Sequence, residues 1–575
     1  MRKLFRYLTP YKLRIVLIVG FIFIQTLSEL YLPTLMSDII DNGVINQDIP
    51  YIFKIGGFML LVTLLGAIAA ITASYYSARV AMSFGKDLRQ RIFDHVEHFS
   101  LHEFTEVGTA SLITRTTNDV TQVQLVLNMI LRMMVMAPLM AIGGIIMALS
   151  KNAGLSWVII VAVPILVLVI FLVVRRAIPL FKQVQVRLDR VNRIIRENLT
   201  GVRVIRSFNR IGFEQNRFKD ANSDLTETTI KVNKIMAFLM PAMTLIMSLT
   251  QISIVWFGAI RIDAGAMQVG YLMAFIQYAM QIMFSMVMLS MMFVLIPRAS
   301  ASAARINEVL AIAPIIKDEE MKEMTFHQKG YIEFQNVTFS YPGAEEPALR
   351  NLSFSAAPGE ITAIIGGTGS GKSTLLKLIS RFYDVDSGAV LVDGVNVKDM
   401  PIEVLRKKIG LVPQKAVLFT GSVKENILFG NEQATEEEIM HATKVAQAYD
   451  FVMNMKDGIN SEISQGGTNV SGGQKQRLSI ARALVRKPEI YMFDDSFSAL
   501  DFKTDAKLRA ALKEETTEST VLIVAQRVST VMDANRIIVL DKGTVAGIGT
   551  HKQLMDTCDV YKEIVSSQLS EEEIA

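Results

Sequence analysis

The sequence predicts two parts, a helical membrane domain with six spans followed by an α/β domain. Three observations lead there. The chain has 575 residues, which is enough for roughly three or four domain-sized units. Hydrophobic residues make up 51% and charged residues 20%, with a mean hydropathy of +0.34. Long apolar runs occur only before about residue 300, and a glycine-rich phosphate-binding pattern occurs after it.

This composition excludes several classes of protein. A disordered or fibrous chain would be less apolar and more charged. The net charge is +4, from 59 basic and 55 acidic residues, which gives no reason to expect a nucleic-acid partner. The single cysteine, Cys558, excludes an intrachain disulfide framework.

Six apolar stretches are long enough to cross a bilayer, which needs about 20 mostly apolar residues. Buried helices of a soluble protein are the alternative, but the number and length of the stretches argue against it. The predicted spans are 14–36, 55–77, 133–150, 155–174, 236–260 and 269–296.

The charges between the spans predict the orientation. The segment 37–51 has no Lys or Arg, whereas 175–234 has fourteen, and the N-terminus is basic. Cytoplasmic loops carry the excess of basic residues. We therefore expect a multi-pass protein of the cell membrane, with both termini and the second domain in the cytoplasm. Two long cytoplasmic connections, 78–132 and 175–235, have amphipathic helical spacing and predict rigid helical extensions rather than floppy loops.

Few polar residues interrupt the spans. Gln25 and Glu29 lie four residues apart on the first helix, and Gln277 and Gln281 do so on the sixth. Such groups usually face a cavity or another helix rather than lipid. Two interpretations of Glu29 stay open, a structural hydrogen bond or attraction of cationic substrates. The many methionines also have two, a surface that accepts many shapes or gap filling between helices.

The second domain contains a phosphate loop. The apolar run 361–365 predicts a strand before it, and 375–379 predicts a helix after it, which is the context that the pattern requires. Backbone N–H groups would curl around phosphate oxygens, Lys372 would hold the β- and γ-phosphates, and Ser373 would ligate Mg²⁺. The loop residues are Gly366, Gly367, Thr368, Gly369, Ser370, Gly371, Lys372, Ser373 and Thr374.

Two further segments carry chemistry. An apolar strand at 490–493 ends in Asp494, the expected metal carboxylate of a phosphate-loop fold. Its plain alternative is an Asp in a turn. Ser471, Gly472, Gly473 and Gln474 open the helical stretch 475–486. A helix N-terminus of this kind can bind an anion, although by itself it is an ordinary cap.

The order of these motifs, together with Gln414, 498–501 and 526, resembles the nucleotide-binding domain of ATP-binding-cassette (ABC) transporters. Six preceding spans resemble the exporter type, with one half-transporter per chain, divided here as 1–305, a linker 306–328, and 329–575. Segments 104–119 and 197–218 are similar to its two intracellular loops. Short helices near 103–110 and 207–215 would couple the two domains.

The resemblance implies roles and cofactors, ATP and Mg²⁺. Two chains would enclose two ATP molecules, each between one chain's phosphate loop and the other's segment 471–474. Tyr341 would stack on adenine, and Gln414 would contact Mg²⁺ and sense the membrane domain. Asp501 would communicate across the dimer.

Two residues depart from the family pattern. Asp495 stands where the family has the Glu that polarises the attacking water, and its carboxylate would reach about 1–1.5 Å less far. Gln526 stands where the family has His, and it cannot carry the charge of His. Together they predict a site that binds ATP and hydrolyses it slowly.

The sequence therefore predicts one subunit of a heterodimeric ATP-driven exporter of the multidrug type. Its partners would be a second half-transporter chain, the lipid bilayer and small amphipathic substrates. A homodimer with two slow sites is the alternative assembly. Two other functions stay open, an ATP-gated channel or regulator and a lipid or peptide exporter with the same ATPase.

Overall fold

The computed structural model describes residues 2–317 and 329–569. Two compact units divide the chain. We call Met1–Glu97 with Gly108–Ile312 the helical unit, and His98–Val107 with Ala313–Ala575 the α/β unit.

Helices form nearly all of the first 311 residues. Two π-helical segments, Ile39–Val44 and Arg115–Asp119, and a 3-10 helix, Arg6–Tyr11, adjoin the α-helices. The α-helices are α1 (Arg2–Phe5), α2 (Lys12–Asp38), α3 (Ile49–Glu97), α4 (Leu101–Val107), α5 (Thr109–Thr114), α6 (Val120–Lys151), α7 (Trp157–Thr200), α8 (Val202–Ser207), α9 (Ile211–Asp263) and α10 (Val269–Ala311).

Six of these helical stretches are long and apolar enough to cross a membrane, which confirms the predicted fold class. Both predicted connections are helical except for short breaks. Helix α3 continues to Glu97, and α7 and α9 leave only a few non-helical residues beside α8. The predicted linker 306–328 begins inside α10, and its residues 318–328 lie outside the described part of the chain.

The α/β unit contains two main sheets. Its strands are β1 (Ile332–Phe339), β2 (Leu349–Ala356), β3 (Ile361–Gly366), β4 (Ser387–Val392), β5 (Val395–Asn396), β6 (Ile409–Val412), β7 (Gly421–Ser422), β8 (Glu462–Ile463), β9 (Ile490–Asp494), β10 (Thr520–Val524), β11 (Arg536–Asp541) and β12 (Thr544–Gly549).

Between residues 329 and 569, ten α-helices connect or follow these strands. They are α11 (Lys372–Ile379), α12 (Ile402–Lys407), α13 (Val423–Leu428), α14 (Glu436–Val445), α15 (Tyr449–Met453), α16 (Gly472–Leu484), α17 (Phe502–Glu515), α18 (Val528–Val531), α19 (His551–Thr557) and α20 (Asp559–Ser566), with short 3-10 turns at Gly458–Asn460 and Gln465–Gly467.

The larger sheet has the strand order β12-β11-β3-β10-β9-β6, and all its pairs are parallel except β11 with β12. Alternate residues of one strand enter two different cores, as Ile364 and Ile365 of β3 do. Burial of both faces explains why the parallel strands of this sheet are apolar at nearly every position. Parallel pairing also brings the carboxyl ends of β3, β6, β9 and β10 to one edge, where the site lies.

A buried ion pair connects the two sheets. Asp393, in the turn between β4 and β5, is fully buried, and one carboxylate oxygen lies 2.8 Å from the Lys408 ammonium. The other oxygen accepts hydrogen bonds from the backbone N–H groups of Gly330 and Tyr331. Lys408 also pairs with Glu489 at 2.7 Å, just before β9. These partners raise the pKa of Lys408 against the opposing effect of its burial, which is the largest single contribution.

Replacing Lys408→Met should destabilise the α/β unit by about 3–5 kcal/mol, because it leaves the Asp393 carboxylate buried without a cation. Hydrogen exchange of the amides in β4 and β6 in the full chain measures the change. Lys407→Met is the matched control, since Lys407 and its partner Glu403 are both exposed. Equal protection in the two variants would show that the pair does not hold the sheets together.

Candidate functional site

The phosphate loop joins β3 to α11. Gly371 has a φ of +97°, and a Cβ there would lie 3.0 Å from the Ala348 carbonyl oxygen, so this position requires glycine. The Lys372 ammonium donates hydrogen bonds to the carbonyls of Gly366 and Gly367, both at 2.7 Å. Burial lowers the pKa of Lys372, and the nearby carboxylates of Asp495 and Asp494 oppose that shift. The ammonium is thus held inside the loop, beside two carboxylates.

Ser373 and Asp494 present adjacent oxygens. The Ser373 hydroxyl, on the first turn of α11, donates to an Asp494 carboxylate oxygen at 2.7 Å. Burial raises the pKa of Asp494, and the bond from Ser373 opposes the rise. Hydroxyl and carboxylate oxygens suit Mg²⁺, which keeps several waters and takes phosphate oxygens as further ligands. The described residues gather no cluster of three or more His, Cys, Asp or Glu, so such an ion would depend on those other ligands.

The Asp495 carboxylate is held by two amides. One of its oxygens accepts a hydrogen bond from the Gln526 side chain at 2.9 Å and another from the Gln414 side chain at 3.3 Å. Asp495 has a φ of +47°, in the left-handed region that non-glycine residues rarely adopt. Its N–H bonds to the Val524 carbonyl at 2.8 Å, which fixes this backbone between β9 and β10. Burial raises the pKa of Asp495, and the Gln414 bond acts against the rise.

These groups surround a cavity of about 420 Å³. Two lining residues, Ala348 and Val524, were not predicted from the sequence. Val524 ends β10 beside Asp495 and could have been found from the edge where the parallel strands end, whereas Ala348 carries no such signal. The predicted residues that line the cavity are Tyr341, Thr368, Gly369, Gly371, Lys372, Ser373, Thr374, Gln414, Asp494, Asp495 and Gln526.

Tyr341 lines the cavity from the four-stranded sheet, whose order is β2-β1-β4-β5, and lies two residues after β1. Its hydroxyl is 3.0 Å from the Thr374 hydroxyl oxygen, and the Lys377 ammonium lies 5.5 Å from the centre of its ring. An aromatic ring beside the phosphate loop is where a planar base could stack. The remaining loop residues, Gly366, Gly367 and Ser370, do not line the cavity.

The segment 471–474 and Asp501 do not line the cavity at the phosphate loop. Ser471 and Gln474 form a capping box at the start of α16, in which each side chain accepts the other residue's backbone N–H. Ser471 and Gly472 are exposed, and Gly473 is partly so. Asp501 is exposed and caps α17 by accepting the Thr504 N–H at 3.0 Å. Within one chain, the structure does not bring these residues to the phosphate loop.

The loop with its lysine and the paired Ser373 and Asp494 define a phosphate-loop nucleotide-binding domain, joined to a helical unit with six candidate spans. Comparison with known families agrees. Residues 15–286 match the model of the ABC transporter transmembrane region, and residues 349–498 match the ABC transporter model. The chain belongs to the ABC transporter family.

Relatives match along nearly the whole chain. An uncharacterised ABC transporter ATP-binding protein of Mycobacterium tuberculosis (strain CDC 1551 / Oshkosh) is 42% identical over 98% of this chain and 97% of its own. Two relatives at 29% identity have names that state a cargo. One, from Bacillus subtilis (strain 168), is provisionally named a multidrug export ATP-binding/permease protein and matches over 99% of both chains. The other is an ATP-dependent lipid A-core flippase of Aliivibrio fischeri (strain ATCC 700601 / ES114), covering 98% and 97%.

A solved structure has the same fold. A bacterial Atm1-family ABC exporter with ATP bound superposes with a TM-score of 0.81 at 24% identity, covering 97% of this chain and 99% of its own. One chain thus combines the membrane domain and the nucleotide-binding domain of an ABC exporter, as a half-transporter does. Membership of this ATPase family implies ATP binding with Mg²⁺.

Asp494→Asn should remove most of the gain in ATP affinity that Mg²⁺ provides, because it takes away the carboxylate beside Ser373. We expect a loss of at least about tenfold with Mg²⁺ and a change below about twofold in EDTA, in titrations of the full chain with a fluorescent ATP analogue. Asp541→Asn, at the end of β11 and outside the cavity lining, is the matched control. Equal losses with and without the metal would contradict a metal role for Asp494.

Proposed function

We propose that this chain is one subunit of a heterodimeric ATP-driven exporter. Its own phosphate site binds ATP with Mg²⁺ and hydrolyses it slowly, and its segment 471–474 completes the hydrolytic site of a second chain. The observation that carries the proposal is the Asp495 carboxylate, which is one methylene shorter than the family's Glu and hydrogen-bonded to both Gln414 and Gln526.

The distances support slow hydrolysis in two ways. The shorter side chain places its carboxylate about 1–1.5 Å further from an attacking water, and a misplacement near 1 Å costs on the order of 100-fold in rate. Both amides also donate to the same carboxylate oxygen, so the group would have to break those bonds to move forward. Gln526 can donate to a phosphate but supplies no positive charge at neutral pH.

Two surfaces support a second chain. The exposed N-terminus of α16, with Ser471 and Gly472, is an anion-binding geometry that this chain's own cavity does not use. Apolar side chains are exposed in and beside the turn between α8 and α9, with Val204 at 61%, Phe208 at 73% and Phe213 at 55%. A neighbouring half-transporter would cover these side chains, because large apolar side chains that are exposed close together in the sequence favour a protein interface.

The remaining parts of the proposal come from the sequence. The basic segment 175–234 supports a cell-membrane protein whose termini and nucleotide domain are cytoplasmic. We retain the division into 1–305, 306–328 and 329–575, with the roles that the resemblance gives Tyr341 and Asp501. ATP would favour a closed nucleotide dimer and so bias the membrane helices between two arrangements.

Small amphipathic compounds are the proposed cargo. The multidrug name of the Bacillus subtilis relative supports this, and so does a large methionine-lined cavity in the helical unit. The flippase relative favours a second candidate, a lipid, moved by the same ATPase.

Purification of the native complex from membranes tests the assembly. We expect a second half-transporter chain that carries Glu and His at the positions matching Asp495 and Gln526. Recovery of this chain alone, with brisk drug transport after reconstitution, would contradict the proposal.

Within the assembled pair, Asp495→Asn should change steady-state ATPase turnover by less than about twofold, because this site contributes little hydrolysis. Ser471→Arg in the same chain is the matched comparison. It should reduce turnover at least about 100-fold, because it obstructs the segment lent to the partner's site. A collapse of activity in Asp495→Asn would show that this chain's own site does the hydrolysis.

A further inference from the structure

In the helical unit, residues of α2, α3, α6, α9 and α10 line an open cavity of about 860 Å³. This volume lies in the range of sites that hold drug-sized molecules, about 300–1,000 Å³. Methionine side chains form much of the wall. The methionines that line it come from five helices and are Met36, Met59, Met136, Met140, Met247, Met280 and Met288.

Glu29 is the acidic residue of this wall. One of its carboxylate oxygens accepts a hydrogen bond from the Gln25 side chain at 2.8 Å, and the Gln281 amide donates to the Glu29 backbone carbonyl at 3.2 Å. The structural hydrogen bond considered from the sequence therefore exists. It uses only one carboxylate oxygen, and in the described part of the chain the other accepts no hydrogen bond. Glu29 is half-buried, so this oxygen is available to a molecule in the cavity.

No Lys or Arg among the described residues forms an ion pair with Glu29. Arg132 lines the same cavity but at another level. On α2 and α6, Gln25 lies beside Met136 and Leu30 lies beside Gly143. Because the residue numbers rise together on both helices, α2 and α6 run in the same direction. Arg132 precedes Met136 by four residues, and Glu29 follows Gln25 by four. The two charged residues are therefore about eight residues, or about 12 Å, apart along the helix axes.

A carboxylate in an apolar environment is costly unless a positive charge lies beside it. Among the described residues, two amides donate to Glu29 and no Lys or Arg forms an ion pair with it. Phe284 lies on the same wall and is 60% exposed, and aromatic rings also attract cations. Flexible methionines can pack against apolar groups of differing shape.

We propose that this cavity binds organic cations that have an apolar body, with the positive group beside Glu29 and the body against the methionines. The assignment rests on the proposed export function and names the substrate class of that function. Arg132 lies about 12 Å from Glu29 along the helix axes, so an anionic group would be attracted to Arg132 rather than to Glu29.

Three probes of similar shape test the proposal: tetraphenylphosphonium, which is cationic, triphenylphosphine oxide, which is neutral, and tetraphenylborate, which is anionic. Binding is measured by equilibrium dialysis against the full chain in lipid nanodiscs, with any second chain that co-purifies, and empty nanodiscs are subtracted. We expect the cation to bind most tightly. Glu29→Gln should weaken its binding at least about tenfold and change binding of the neutral probe by less than about twofold.

Two further variants keep the test decisive if Glu29→Gln does not fold. Glu29→Asp retains the charge and should keep the preference for the cation. Gln277→Glu adds a second carboxylate to the cavity wall and should tighten binding of the cation alone, by at least about threefold. Equal changes for the cation and the neutral probe, or tighter binding of tetraphenylborate, would overturn the proposal.

The measurement needs no ATP hydrolysis, so its failure differs from failure of the proposed function. A chain that transports neutral compounds without preferring the cation would retain the export function and lose the cation assignment. A chain that prefers the cation but lacks a second subunit would retain the cation assignment and lose the proposed heterodimer.

Discussion

The position of a single carboxylate, that of Asp495, at the edge of a parallel sheet is the constraint on which the nucleotide site depends. Strands β6, β9 and β10 are neighbours, and each is followed within two residues by one of Gln414, Asp495 and Gln526. Because parallel strands end at the same edge, these three side chains meet there. The two amides donate hydrogen bonds to the carboxylate, and the left-handed backbone of Asp495 fixes the direction in which its side chain leaves the chain. Under the proposed function, a site arranged in this way retains a nucleotide without being well placed to activate water.

The rest of the α/β unit positions this edge. Glycines at the phosphate loop allow the backbone to turn closely under Lys372, and the two sheets are connected through the buried pair of Asp393 and Lys408. That connection matters to the site because the four-stranded sheet leads to Tyr341, whereas the six-stranded sheet leads to the phosphate loop, Asp494 and Asp495. The helical unit is subject to a different constraint, the absence of water in the lipid bilayer. In lipid, its helices satisfy their own backbone groups, so a half-buried polar side chain such as Glu29 becomes the informative residue.

The sequence was sufficient for features that depend on local pattern. The six spans could be predicted because runs of about 20 mostly apolar residues are typical of membrane-spanning helices. The loop 366–373 could be predicted because its glycines, lysine and serine occur in a fixed order. The cap at Ser471 likewise depends on neighbouring residues. Features that depend on packing could not be predicted. Ala348 lines the nucleotide cavity only because β2 passes beside the loop, and the amides of Gln414 and Gln526 converge on Asp495 only through the strand order. The side of α2 that faces the membrane cavity, and hence the free oxygen of Glu29, required the structure.

The most direct test of the central claim is the state of the nucleotide held by this chain. The assembled transporter is incubated with Mg²⁺ and ATP labelled at the α-phosphate, separated rapidly from free nucleotide, and cross-linked by light through an azido-adenine label to show which chain holds it. We expect the labelled nucleotide cross-linked to this chain, with its phosphates at Lys372 and Asp495, to remain ATP over many turnovers of the complex. ADP should accumulate at the other site. Rapid conversion to ADP at this chain's own phosphate loop would contradict it.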